Sequence, residues 1–146
     1  MTQKRYQDLT ETLGKSNFPE EIDNPMDFLS AAQEGIAIYA VQNFREAFDV
    51  SLGQVAAILD TSEPTLYRHL KAQQKLSRNA SIKLLEVTDL FLYGMEVFGS
   101  KEDFFKWMEL PNTALGGLRP MALTEVPEGI SKISDLLGRI EYGVYS

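Results

Sequence analysis

The sequence predicts an all-α protein: a helix-turn-helix domain followed by a small helical C-terminal domain. Three observations predict it. Apolar residues recur at helical spacing along most of the chain, no strong period-2 alternation occurs, and serines stand just ahead of several of the periodic runs, where helix caps belong. With 146 residues there is length for one domain and a small appended module.

Residues 1–35 are the least regular. Tyr6, Leu9 and Leu13 have helical spacing, and Gly14 is placed to end that helix. Phe18 to Glu21 and Asp23-Asn24-Pro25 read as loop, and Asp27 to Glu34 as a second short helix. This segment is expected to be partly helical or a mobile arm. From Ile36 the pattern turns plainly helical, with Ile36, Ile38, Tyr39, Val41, Phe44, Ala47 and Phe48 fitting a buried helix that ends near Val50. Ser51 caps a run from Leu52 to Leu59. Asp60-Thr61 turns the chain, and Ser62 caps a second run with Glu63-Pro64 in its first turn, where proline lacks only an N–H that had no helical partner. That helix extends to about Lys71. Ser77 caps a longer one from Arg78 to Phe98, closed by Gly99, and Ser100 caps a short one through Glu109. Pro111-Asn112, Gly116-Gly117 and Arg119-Pro120 break the pattern to about Glu125. A last helix, from Pro127–Glu128, carries Ile130, Ile133, Leu136, Leu137 and Ile140. The expected organisation is an N-terminal segment at 1–35, a DNA-binding and dimerisation domain at 36–100 and a C-terminal domain at 101–146.

Residues 52–71 read as the helix-turn-helix itself. Ala56 is small where two crossed helices touch, Leu59 seals the turn, and Leu66 and Leu70 face inward. Helical geometry then turns Glu63, Pro64, Tyr67, Arg68 and Lys71 outward, on the face that a recognition helix lays into the major groove. Charge agrees. Residues 1–60 hold 4 basic and 10 acidic side chains, whereas residues 61–83 hold Arg68, Lys71, Lys75, Arg78 and Lys83 against Glu63 alone. The net charge of the whole chain is −7, which argues against indiscriminate nucleic-acid binding, yet this one stretch is basic. Arg68 is suited to guanine O6 and N7, Ser62 and the helix N-terminus to a phosphate, and Lys71, Lys75 and Arg78 to the backbone. The competing readings are a solvated helix face and an ordinary helical hairpin.

Catalytic and metal chemistry find no support. The chain has no cysteine and a single histidine, His69, so a thiolate site, a cysteine nucleophile and a His-based triad lack their parts. Gly116-Gly117 lacks the context of a phosphate loop. No cofactor and no metal are expected, and no catalytic residue is assigned. No apolar run approaches the ~18 residues of a membrane span; the composition suits a reducing cytoplasm, which is the expected location, with no membrane partner.

At residues 104–146 a long irregular pattern stands out. Phe104-Phe105-Lys106-Trp107-Met108 is followed by Pro111-Asn112-Thr113-Ala114-Leu115-Gly116-Gly117 and Arg119-Pro120. Then come Gly129 and Leu136-Leu137-Gly138-Arg139-Ile140-Glu141-Tyr142-Gly143-Val144-Tyr145-Ser146. This resembles the toxin-binding domain of the Xre/MbcA/ParS antitoxins. Thr65 to Leu70, Leu76-Ser77 and Val97-Phe98-Gly99 resemble the Xre-like helix-turn-helix domain that precedes it there, so the likeness spans residues 36–146. The chain departs from the family pattern at Asp60-Thr61 and at Met121-Ala122-Leu123.

The resemblance implies a non-enzymatic antitoxin of a type II toxin–antitoxin operon. Its partners would be a RES-domain toxin that acts on NAD and the operator DNA that autoregulates the operon. Asn112, Arg119, Arg139 and the tail Glu141, Tyr142, Gly143, Val144, Tyr145 and Ser146 are the expected toxin contacts. Gly138, costing about 1 kcal/mol relative to alanine inside a helix, would admit another backbone. A helix end folded back on its own core is the competing account of this segment. A homodimer is expected because one recognition helix makes few contacts, with Phe44, Phe48, Phe91 and Phe98 as candidate anchors. The alternative function is a stand-alone helix-turn-helix repressor whose C-terminal module only dimerises it.

Overall fold

The computed structural model describes residues 3–143. Among them the architecture is all-α, with one isolated antiparallel bridge between Ala37 and Lys75. The helices are α1 (Gln3–Leu13), α2 (Pro25–Glu34), α3 (Tyr39–Phe48), α4 (Leu52–Ile58), α5 (Glu63–Lys71), α6 (Arg78–Phe98), α7 (Lys101–Met108), α8 (Pro120–Leu123) and α9 (Gly129–Glu141). Two compact units divide the chain, residues 1–88 and 89–146, and the division falls within α6.

In the first unit α1 packs on α3 through Leu9 and Leu13, both fully buried. The carbonyl of Leu13 ends α1 and accepts from the side-chain amides of Asn17 (2.7 Å) and Asn43 (2.8 Å). Two such bonds satisfy a terminal carbonyl that a helix cannot satisfy itself. Asn24 caps α2 from its side chain and Pro25 takes the first helical position, so this helix begins earlier than Asp27.

Ile36 does not start a helix, contrary to its apolar spacing. Gly35, at φ 86°, turns the chain out of α2, Ile36 lies outside any helix, and Ala37 pairs with Lys75 in the isolated bridge. The Ile36 N–H donates to the Ser81 hydroxyl at 3.0 Å, and its carbonyl accepts from the Leu76 N–H at 2.9 Å. Ile36 and Ser81 are both fully buried. The residues before the helix-turn-helix are thereby tied to those after it, and helix begins only at Tyr39.

The serine caps form as expected. Ser51 makes a full capping box with Gln54, Ser62 accepts from the Thr65 N–H at 3.2 Å, and Ser77 accepts from the Ala80 N–H at 3.2 Å. α4 ends in Asp60 at φ 58°, with the Thr61 N–H donating to Ala56 and the Asp60 N–H to Ala57. This is the Schellman closure, built on an aspartate rather than the usual glycine.

In the second unit Phe104 of α7 lies fully buried against Gly94 of α6, where a Cβ would overlap the ring. Phe91 meets Phe104 and Phe105 edge-on at 5.9 and 5.0 Å. The connection from Pro111 to Glu125 is more ordered than its sequence suggests. Asn112 closes a loop by donating its N–H to the Leu118 carbonyl and accepting from Leu115 and Gly117, and α8 follows. Gly129 lets α9 start against α8, because a Cβ there would overlap the Leu123 carbonyl.

One set of expectations is corrected by burial. Phe44, Phe48 and Phe91 are inside the fold, at 0–3% exposure, so they cannot anchor a dimer. Phe98 is half-buried and stacks near Trp107 at 5.5 Å.

Removing the Ser81 hydroxyl tests the tie at Ile36. Ser81→Ala leaves a buried N–H without a partner and should cost about 1–3 kcal/mol. A urea titration reads this as a lowered midpoint, and an unchanged midpoint would show that the Ser81 hydroxyl adds nothing to the tie at Ile36.

Candidate nucleic-acid and partner interfaces

α4 and α5 pack on each other as a helix-turn-helix pair, with Val55, Ala56, Ile58, Leu59 and Leu66 buried between and beneath them. Leu70 is only half-buried. The capped start of α5 and the left-handed Asp60 fix where the second helix points, and its outer face is what remains available. Ser62, Glu63, Pro64, Tyr67, Arg68, Lys71, Lys75 and Arg78 are all exposed. The structure thus brings the sequence-predicted set onto one unit and leaves it open to solvent.

Their local geometry is more specific than the sequence suggested. Ser62 Oγ, besides capping, donates to Thr65 Oγ1 at 2.7 Å, and Arg68 Nη2 donates to the same Thr65 oxygen at 3.2 Å. Lys71 Nζ lies 5.2 Å from the centre of the Tyr67 ring, within cation–π range. Two of the cations are therefore held by neighbours one turn back. Glu63, the one acid in this stretch, carries its carboxylate to the start of α4, where a Cβ on Gly53 would stand 3.2 Å from it. A carboxylate beside a helix N-terminus is a favourable placement. Lys75 is placed by its backbone bridge to Ala37. Thr65 was absent from the sequence-predicted set; its only trace there is the Ser62-x-x-Thr65-x-x-Arg68 spacing, which lines three polar side chains along one helix face.

The C-terminal set has a different character. Asn112 accepts from the Ala114 N–H at 2.9 Å through its side-chain oxygen, so that oxygen is engaged in shaping the loop. Arg119 pairs with Glu109 at 3.1 Å, with both side chains about half exposed. Arg139 is exposed on α9, and Glu141 accepts from the Tyr93 hydroxyl at 3.1 Å. Tyr142 is 78% exposed, and Gly143 follows at φ 69°. Val144, Tyr145 and Ser146 lie outside the described residues. Leu110 and Leu118, flanking the Asn112 loop, are 54% and 53% exposed, an apolar pair that no helical period in the sequence marks out. An alanine Cβ at Gly138 would meet only the Tyr93 hydroxyl, at 3.7 Å, so no neighbour within the unit requires glycine there. Among the described residues no helix is long and apolar enough to cross a membrane.

Comparison with known proteins bears on both halves. Residues 27–88 match the Antitoxin Xre-like helix-turn-helix domain, and residues 94–143 match the Antitoxin Xre/MbcA/ParS C-terminal toxin-binding domain. The chain is 22% identical over 114 residues to Antitoxin Xre of Photorhabdus laumondii, covering 77% of each protein. It is 24% identical over 132 residues to the Prs ADP-ribosylating antitoxin of a Sphingobium strain, covering 84% of this chain and 83% of that one. A local match, 44% identical over 50 residues, falls in a 6-hydroxy-3-succinoylpyridine 3-monooxygenase of Pseudomonas putida and takes in 34% of this chain but 15% of that enzyme. With both family domains present in one chain, a helix-turn-helix followed by a toxin-binding domain, this protein belongs to the Xre/MbcA/ParS antitoxins and is the antitoxin of a toxin–antitoxin system.

Proposed function

We propose that the chain works by binding alone, through two surfaces. The outer face of α5, with Lys75 and Arg78, binds operator DNA as a homodimer and so autoregulates the operon. The C-terminal domain neutralises a RES-domain toxin that acts on NAD. The observation that carries the DNA half is the exposed basic face of α5, with Arg68 held in place, on an otherwise acidic chain. The toxin half is supported by the matched toxin-binding domain and by the name of the Sphingobium relative, which refers to ADP-ribosylation, a reaction whose group donor is NAD. A partnership with operator DNA would put both activities in the cytoplasm.

On the DNA side, Arg68 reads a guanine while Lys75 contacts phosphate. Arg68→Ala should therefore cost about 1–3 kcal/mol on the preferred duplex and relax preference at one base. Lys75→Ala should weaken all duplexes alike and flatten the salt slope by about one. Fluorescence anisotropy across a salt series separates the two; equal and parallel losses for both variants would mean that Arg68 reads no base.

On the toxin side, the segment from Glu141 to Ser146 offers two tyrosine rings on either side of a glycine, chemistry suited to a nucleotide pocket or its mouth. Asn112, Arg119 and Arg139 border the docking surface. Deleting residues 143–146 should restore NAD consumption by the toxin while dimerisation and DNA binding persist. If truncated and full-length antitoxin inhibit the toxin equally, the tail is not the plug.

Gly138 gives a second check on the same surface. Gly138→Ala has room within the unit and should stabilise the free antitoxin by roughly 0.5–1 kcal/mol. The added methyl should nevertheless weaken the toxin complex. A variant that melts higher and binds the toxin as tightly as before would show that no partner backbone approaches this face.

A further inference from the structure

We propose that Thr65 is the positioning residue for Arg68, so that sequence preference, more than affinity for DNA in general, depends on one hydroxyl. The inference rests on the reading of α5 as the DNA-contacting helix.

Thr65 Oγ1 accepts from Ser62 Oγ at 2.7 Å and from Arg68 Nη2 at 3.2 Å. Both lone pairs of the hydroxyl are thus engaged, and its own proton is left to give to a phosphate or base oxygen. Ser62 is itself fixed, because its oxygen caps the Thr65 N–H. The result is a row of three side chains, each anchored to the one before it and the first anchored to the backbone. An exposed arginine has many rotamers and must surrender them when it docks bidentately on a guanine. Here one N–H is already committed to Thr65, which orients the plane of the guanidinium while the other N–H groups stay available. Attraction to phosphate needs only the charge, whereas guanine needs the plane. Loss of the Thr65 hydroxyl should therefore fall on preference and spare general binding.

The test uses the full chain and two probes: the duplex that the unaltered protein selects from a random pool, and a shuffled duplex of the same composition. Thr65→Ala should narrow the ratio of the two affinities by about threefold to tenfold, through the selected duplex alone. The helix cap survives this change, because Ser62 bonds the backbone N–H of residue 65. Thr65→Ser, which restores the hydroxyl, should restore the ratio. In an Arg68→Ala background, Thr65→Ala should have no further effect on it.

An unchanged ratio in Thr65→Ala would overturn the assignment. So would an equal loss in Thr65→Ser, or a full loss that persists without Arg68, since the effect would then belong to the helix and not to the hydroxyl. If Arg68→Ala keeps the ratio while the chain still selects a duplex, the base reader lies elsewhere and only the role of Thr65 falls. If the unaltered chain selects no duplex, the DNA reading of α5 falls and this inference with it.

Discussion

The first unit depends on a buried backbone that has to find partners. Ile36 sits fully inside the fold, and its N–H and carbonyl are bonded to Ser81 and Leu76 at 3.0 and 2.9 Å. A buried peptide group without such partners costs as much as a lost hydrogen bond, so the chain has little freedom here. The tie draws residue 36 against residues 76 and 81, across the whole helix-turn-helix. It closes α3, α4 and α5 into one loop of chain, starts α6 at a defined place, and sets Lys75 beside Ala37. The basic residues that follow α5 are therefore carried on a fixed segment and not on a free linker.

The same economy governs the turns. α4 and α5 both end in a left-handed residue that is not glycine, Asp60 at φ 58° and Gln73 at φ 52°. Each closes its helix with paired bonds back to the last carbonyls: Thr61 to Ala56 and Asp60 to Ala57, then Gln74 to His69 and Gln73 to Leu70. Aspartate and glutamine bear a steric cost in that conformation that glycine would not. Asp60 is tolerated because its short polar side chain suits the region better than a bulky one does. The departure from the usual glycine alters the energetics of the turn and leaves its geometry intact, so α5 keeps its place as the second helix of the helix-turn-helix.

Local features were legible in the sequence and distant ones were not. The caps at Ser51, Ser62, Ser77 and Ser100 could be read because the groups they satisfy lie within three residues. The outer face of α5 followed from the period of Leu66. Three things escaped. Ile36 looks helical by spacing, and its bonds to Leu76 and Ser81, far along the chain, hold it outside a helix. Phe44, Phe48 and Phe91 announce burial without saying against what, so an interface and a core look alike in sequence. Gly94 matters through the shape of a single neighbour, the Phe104 ring, which no spacing encodes, and Thr65 through its bond to Arg68, of which the sequence shows only the three-residue spacing. The C-terminal surface was identified through resemblance more than through physics. Its polar residues include some that the fold employs itself, as Asn112 does in capping and Arg119 in pairing with Glu109.

The central claim is that one chain carries two separate binding surfaces, a basic one on α5 and its following turn and an aromatic-tailed one at the end of α9. Hydrogen–deuterium exchange on the full-length antitoxin, free, with its selected duplex and with its cognate toxin, tests this directly. The account predicts that DNA protects peptides within residues 62–78 and leaves 112–143 unchanged, and that the toxin does the reverse. Protection of the same peptides by both partners, or DNA protection confined to residues outside 62–78, would contradict it.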